Sequence, residues 1–340
     1  MSAAAASPRH ALTIALLLPG LVVVVLAALV FGAYPLAISE ALAALLAGPG
    51  VAGEAGSEAG TVVWNLRLPR IMAGLLVGMA LSVAGAAYQG MFRNPLVSPD
   101  ILGVSAGAGL GAAIAILHGL PLTVVQACAF GGGLLAVGCV YAVAARVRHH
   151  DPVLVLVLAG VAVGTLFAAG ISLAKVLADP SVQLPSITFW LLGGLSAVTP
   201  GDLVVAAPLM LCGLVPVWLL RWRVNLLTLA DDEAQAMGIN VVRLRLVLVV
   251  SATLVTAAAV SIAGIVGWIG LVIPHAARLL VGPEFSRLLP ASGVLGAAFL
   301  VAADTLARSI VAIELPLGII TAIVGAPVFL WLLASSGRSA

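Results

Sequence analysis

Few side chains in this chain of 340 residues could do chemistry, and their spacing argues against catalysis. The five histidines are scattered. His149 and His150 are adjacent and would diverge on a helix, and no His-Glu-x-x-His run brings two to one face as a zinc site needs. Gly103-x-Ser105-x-Gly107 has the spacing of a hydrolase elbow, but it lies among apolar helical sequence and lacks the strand-turn-helix setting. The only lysine, Lys175, follows Ala174, so there is no glycine-rich loop ending in Lys-Ser or Lys-Thr to hold a nucleotide. We therefore expect no catalytic residue, no metal ligand set and no cofactor bound by this chain. Ion-coupled carriers more often carry carboxylates or histidines deep in the membrane. Here Asp304 falls toward the outer end of a span, and His275 follows Pro274, read as interrupting its helix. His275 reads either as a packed helix-end histidine with a backbone partner or as a proton relay or ligand. Cys128, Cys139 and Cys212 read as small buried hydrophobes.

The elements that must position these groups belong to a membrane. Residues of the AVILMFWYC set make up 63% of the chain, only 8% are charged, and mean hydropathy is +1.24. A soluble domain is about 25% charged, so a soluble enzyme is excluded, and a net charge of +2 gives no reason to invoke nucleic acid. A hydrocarbon core about 30 Å thick takes about 20 apolar helical residues per crossing. Such stretches occur at 11–33, too long for a cleavable signal core, and then near 71–91, 101–117, 122–145, 153–177, 203–220, 243–265, 267–281, 287–306 and 315–334. The expected fold is a single all-α polytopic domain over 1–340 with about ten transmembrane helices. With both termini cytoplasmic, eleven of the 15 basic residues fall at inner ends, as the positive-inside rule asks. Lys175, Arg67, Arg70 and Arg308 remain outside. The three arginines invite either an acidic partner or a local explanation, headgroup anchoring or pairing with Glu314 and Asp304.

Ala80-Leu-Ser-Val-Ala-Gly85 echoes Ala259-Val-Ser-Ile-Ala-Gly264, and the same offset relates Pro95 to Pro274 and Gly103 to Gly282. Five spans separate equivalent points, which suggests an inverted repeat of spans 2–5 and 7–10. Small residues four apart, as in Gly74/Gly78, Gly103/Gly107/Gly111 and Gly160/Gly164, let helices approach closely in lipid. Between the basic flanks Arg221/Arg223 and Arg243/Arg245 runs a cytoplasmic segment, 225–242, with Asp231, Asp232 and Glu233. Asp231 or Asp232 can cap a helix of about seven residues that Gly238 ends. A helix so short is unstable alone and must lie against something, so the segment reads either as a rigid cytoplasmic helix presented to a partner or as a solvated turn between two spans.

Several ordered motifs now carry a resemblance. Arg67-Leu-Pro-Arg70, Gln89-Gly90, Asn94-Pro95-Leu96, Gly103-x-x-x-Gly107, Ala234-x-x-Met237-Gly238, Gly270-Leu271-x-x-Pro274-His275-x-x-Arg278, Asp304-x-x-Ala307-Arg308 and Glu314-Leu-Pro-x-Gly318 resemble, over 67–335, permeases of FecCD-type ABC importers. The resemblance implies a multi-pass subunit of the bacterial inner membrane that pairs as a homodimer or with a paralogue. It also implies two cytoplasmic ATPases, which bind the ATP and Mg, and an extracytoplasmic binding protein. By the same resemblance, Arg67, Arg70 and Arg308 meet acidic residues of the binding protein, and Asp231, Asp232, Glu233, Ala234, Met237 and Gly238 belong to the segment that couples to the ATPase. Asn94, Pro95, Gly103, Gly107, Pro274 and His275 fall in helix-break and packing motifs. Such families import ferric siderophores, haem, cobalamin or molybdate-like oxyanions. A nearly uncharged path would desolvate a bare ion at a cost of several kcal/mol, which favours a wrapped chelate, ferric siderophore or haem first and cobalamin next. The alternatives are a molybdate-type importer and, in another class, an ion-coupled secondary carrier.

Overall fold

The computed structural model describes residues 8–32, 34–48, 58–147, 152–311 and 313–336, so His149 and His150 lie outside it. The regular elements among the described residues are helical. In chain order they are α1 (Pro8–Val30), α2 (Ile38–Ala47), α3 (Glu58–Thr61), a π-helical turn (Val62–Arg67), α4 (Leu68–Met91), a 3₁₀ turn (Pro99–Leu102), α5 (Val104–Leu117), α6 (Leu122–Ala144), α7 (Pro152–Leu177), α8 (Gln183–Leu192) and α9 (Pro200–Leu219). There follow α10 (Arg221–Val224), a 3₁₀ turn (Asn225–Thr228), α11 (Asp231–Ala236), α12 (Val241–Ala263), α13 (Ile269–Val281), α14 (Phe285–Ala307) and α15 (Leu317–Ser336). Every apolar stretch singled out in the sequence forms a helix. Among the described residues, six are long and apolar enough to cross a bilayer: Glu58–Met91, Leu122–Ala144, Val153–Leu177, Pro200–Leu219, Val241–Ala263 and Phe285–Ala307.

Capping groups set the helix ends. Thr199 and Asp202 exchange hydrogen bonds at the start of α9, and Asn240 Oδ1 accepts from Arg243 N–H at the start of α12. α4 closes with Asn94 N–H donating to Gln89 O and Arg93 N–H to Gly90 O, the Schellman pattern, with Arg93 left-handed at φ +52°. Asn94 Oδ1 then accepts from Leu96 N–H, turning the chain toward α5.

α4 and α12 form the centre: 78% of the apolar window of each is buried, against 22% for α7 and α9. Glycine makes that centre possible. A methyl on Gly78 would overlap Gly296 O, one on Gly85 would overlap Gly270 O, and one on Gly107 would overlap Gly132 O. Thus α4 packs backbone to backbone on α14 and α13, and α5 on α6, as the four-residue spacing suggested.

α4 and α12 run antiparallel. Arg70 in the first turn of α4 pairs with Asp304 at the end of α14, whereas Arg93, just beyond α4, and Arg245 near the start of α12 share Asp231. Residues 70 and 93 stand roughly 35 Å apart along a helix, a membrane's thickness, so the arginines segregate to opposite ends of the bundle as the sequence partition required.

The residue-level echo does not survive. Ser82 is in the middle of α4 while Ser261 is in the last turn of α12; Pro95 is in a loop while Pro274 is inside α13; Gly103 opens a helix while Gly282 closes one. In so Ala/Gly-rich a chain, matching strings arise without matching structure.

Candidate functional site

The polar side chains gather at the two ends. At the end that carries Arg70, expected to be the outer one, Arg67 is only 3% exposed; its guanidinium donates to the carbonyls of Leu29, Val30 and Tyr34, and Arg308 donates to Ala28 O. The last carbonyls of α1 have no intrahelical partner and carry the negative end of the helix dipole, so two arginines here satisfy both. Arg70 forks onto Asp304, with Nε at 2.8 Å from Oδ1, and also pairs with Glu314; Arg308 Nε lies 3.6 Å from Asp304 Oδ2. Pairing with Asp304 and Glu314 is therefore what this chain does with Arg70, and all three guanidinium groups turn inward. Glu314, 38% exposed in its side chain, is the cluster's accessible member.

Beside this cluster opens a cavity of about 820 Å³, bounded by the α5–α6 turn, α8, the end of α12 and the strand of chain entering α15. Its walls include Arg70, Asp179, Gln183 and Glu314 among apolar groups and glycine backbone. Asp179 accepts from Ser181 and Val182 N–H in the turn that leads into α8, and Gln183 donates to Leu117 O, so these polar groups hold the rim in shape.

At the opposite end, expected to be the inner one, α11 spans Asp231–Ala236 with Ala230 as its cap residue, not Asp231 or Asp232 as expected. Glu233 accepts from Ala230 N–H, and Gly238 at φ +82° ends the segment as its sequence implied. Asp231 is released from capping because it is bound elsewhere. Arg245 grips it with two bonds of 2.8 and 2.9 Å, and Arg93 adds a third of 2.7 Å. The Arg245 bonds, then Arg93, hold its carboxyl below the usual carboxylate range. Ala234 is fully buried; Asp232, Glu233 and Met237, the last 53% exposed, face outward. Asn225 joins this end to α14, accepting from Phe285 N–H and donating to Glu284.

Two backbone irregularities lie between the ends. Pro274 does not interrupt α13. It removes the N–H that would reach Gly270 O, and Gln89 of α4 supplies the substitute: its Nε2 donates to Leu271 O at 3.2 Å and Gly270 O at 3.5 Å, while its Oε1 accepts from Arg278. His275 is 8% exposed, and neither ring nitrogen has a partner among the described residues, so the backbone-partner reading fails. The true break between α12 and α13 is at Gly264–Trp268. Trp268 takes φ +71°, Ile269 N–H donates back to Gly267 O in a γ-turn, and the indole packs toward Phe329 of α15. No sequence signal pointed to Trp268; for Gln89, a polar residue in the last turn of an otherwise apolar span was the available clue. Ser105 donates to Asp100 across the turn that opens α5. Cys212 is exposed on α9 rather than buried.

An apolar helical bundle with ion pairs gathered at its two ends has the build of a polytopic membrane protein. A profile of the FecCD transport family matches residues 20–335. The cobalamin import system permease protein BtuC of Halobacterium salinarum is 44% identical over 273 residues, covering 80% of this chain and 73% of that one. The molybdate import system permease protein MolB of Haemophilus influenzae is 40% identical over 272 residues, 79% of each chain. A solved structure described as an inward-facing conformation of a metal-chelate type ABC transporter superimposes with a TM-score of 0.84 at 34% identity, over 95% of this chain and 98% of that one. The chain belongs to the FecCD transport family. It is a multi-pass membrane permease of an ABC importer, a part of a complex with ATPase and binding-protein partners, and not itself an enzyme.

Proposed function

We propose that this permease carries a wrapped metal chelate, a ferric siderophore, haem or cobalamin, through ten spans by alternating access, with both termini cytoplasmic. The observation that carries this reading is the segregation of charge: ion clusters at each end, joined by central helices α4 and α12 with almost no charged group between. A bare oxyanion would lose its hydration over that distance without a cation to receive it. A chelate presents an organic exterior and avoids that cost. Relatives of similar identity carry cobalamin or molybdate in their names, so this physical argument and not similarity selects the chelate.

The repeat is best placed at the level of elements. α4, short α5, α6 and α7 correspond to α12, short α13, α14 and α15; α4 packs on α14 and α13, and α12 packs on α6 and α5, with α4 and α12 antiparallel to each other. The same geometry supports an assignment of the partner surfaces. The exposed face of α11 takes the ATPase, which binds the ATP and Mg; the outer end takes the binding protein; and the sparsely buried face of α7 pairs with a second copy.

Reconstitution with its ATPase and binding protein tests the reading. ATP-dependent uptake is expected for a ferric siderophore, haem or cobalamin. Accumulation of molybdate alone would overturn the chelate assignment, and uptake driven by an ion gradient without the ATPase would overturn the importer mechanism.

A further inference from the structure

The residue after a Schellman-capped helix is ordinarily glycine, because it must be left-handed. α4 places Arg93 there, at φ +52°, a conformation in which a side chain is strained. A bulky residue kept at a strained position points to a use for its side chain. That side chain leaves α4 altogether. Its Nε donates to Leu227 O at 2.5 Å, in the turn preceding the coupling helix, and its Nη2 donates to Asp231 at 2.7 Å, in the first turn of α11. Arg245 of α12 holds the same carboxylate from the other side. Arg93 is also the first left-handed residue of the loop that leads through Asn94 and Pro95 to α5. One residue is thus both the backbone pivot at the end of a central helix and the side-chain strut to the coupling helix.

We propose that Arg93 is a positioning residue that transmits displacement of α11 to the end of α4 and the loop into α5, with Asp231 as the shared anchor. This rests on the reading of α11 as the ATPase contact. A strut of this kind explains why glycine, the better backbone choice, is absent: it would relax the turn and disconnect the two elements.

Arg93→Gly separates the two roles, because it suits the backbone and removes both side-chain bonds. The test uses the assembled complex with its ATPase, in a chain whose three cysteines are replaced by alanine and whose exposed Leu96 and Val242 carry spin labels. The Leu96–Val242 distance is measured without nucleotide and with ATP and vanadate. The parent should show a nucleotide-dependent change in distance. Arg93→Gly should melt close to the parent, the relaxed left-handed turn offsetting the lost bonds, keep the ATPase bound, and reduce that change about twofold or more; Arg93→Lys, which keeps the charge, should restore part of it. An undiminished change in Arg93→Gly would overturn the strut, and so would a loss accompanied by a lowered melting temperature. Failure of the parent to bind the ATPase would instead refute the assignment of α11.

Discussion

Single atoms decide where this bundle tolerates change. A methyl on Gly85 would collide with Gly270 O, backbone against backbone, where neither side can yield. Gly85→Ala should therefore cost about 1–3 kcal/mol, read as a lower melting temperature in detergent. Gly131→Ala, in open space on α6, should be neutral or slightly stabilising. If both variants melt with the parent, close approach of α4 and α13 is wrong. Asp231 offers a second test at this scale. Its carboxyl is held below the ordinary value by Arg245 and Arg93, so the stabilisation it provides is complete above roughly pH 4 and fades as pH falls through the lowered value. The difference in melting temperature between the parent and Asp231→Asn should stay constant from about pH 8 to 5 and shrink only in stronger acid. A step near neutrality would contradict this assignment.

α13 is held by a neighbouring helix that repairs its proline. With Gln89 replaced, the carbonyls of Gly270 and Leu271 and the guanidinium of Arg278 lose a buried partner. Gln89→Leu should cost on the order of 1–3 kcal/mol. Pro274→Ala restores an N–H able to reach Gly270 O, so it should recover part of that loss. A double-mutant cycle of melting temperatures measures the coupling, and strict additivity would show that the glutamine does not answer the proline. The π-helical turn before α4 and the γ-turn at Trp268 sit in the same bundle, and such departures from regular helix need neighbouring groups to satisfy them in lipid.

Across the whole molecule, the outer arginines do two things that must be tested together. They fasten the end of α1, and they lie at the end of the bundle proposed to receive the binding protein. Arg67→Glu with Arg308→Glu should loosen docking of the binding protein about tenfold or more, and parent docking should weaken as salt rises. Surface binding measurements on the chain in lipid nanodiscs read both. Unchanged affinity in the double variant would show that Arg67 and Arg308 serve α1 alone.

Much of this protein was legible without coordinates. Hydropathy placed the apolar helices because each must satisfy its backbone within lipid, and arginine spacing separated two ends because charge is excluded from the middle. The ordered motifs from Arg67 to Gly318 marked the family. Local signals failed where partners lie far along the chain. Arg67 reaches α1, Gln89 answers Pro274, Asp231 is drawn from capping to Arg93 and Arg245, and repeated strings at Ser82 and Ser261 occupy unlike places. Those choices depend on which groups packing leaves unsatisfied, and that is settled only when the helices meet.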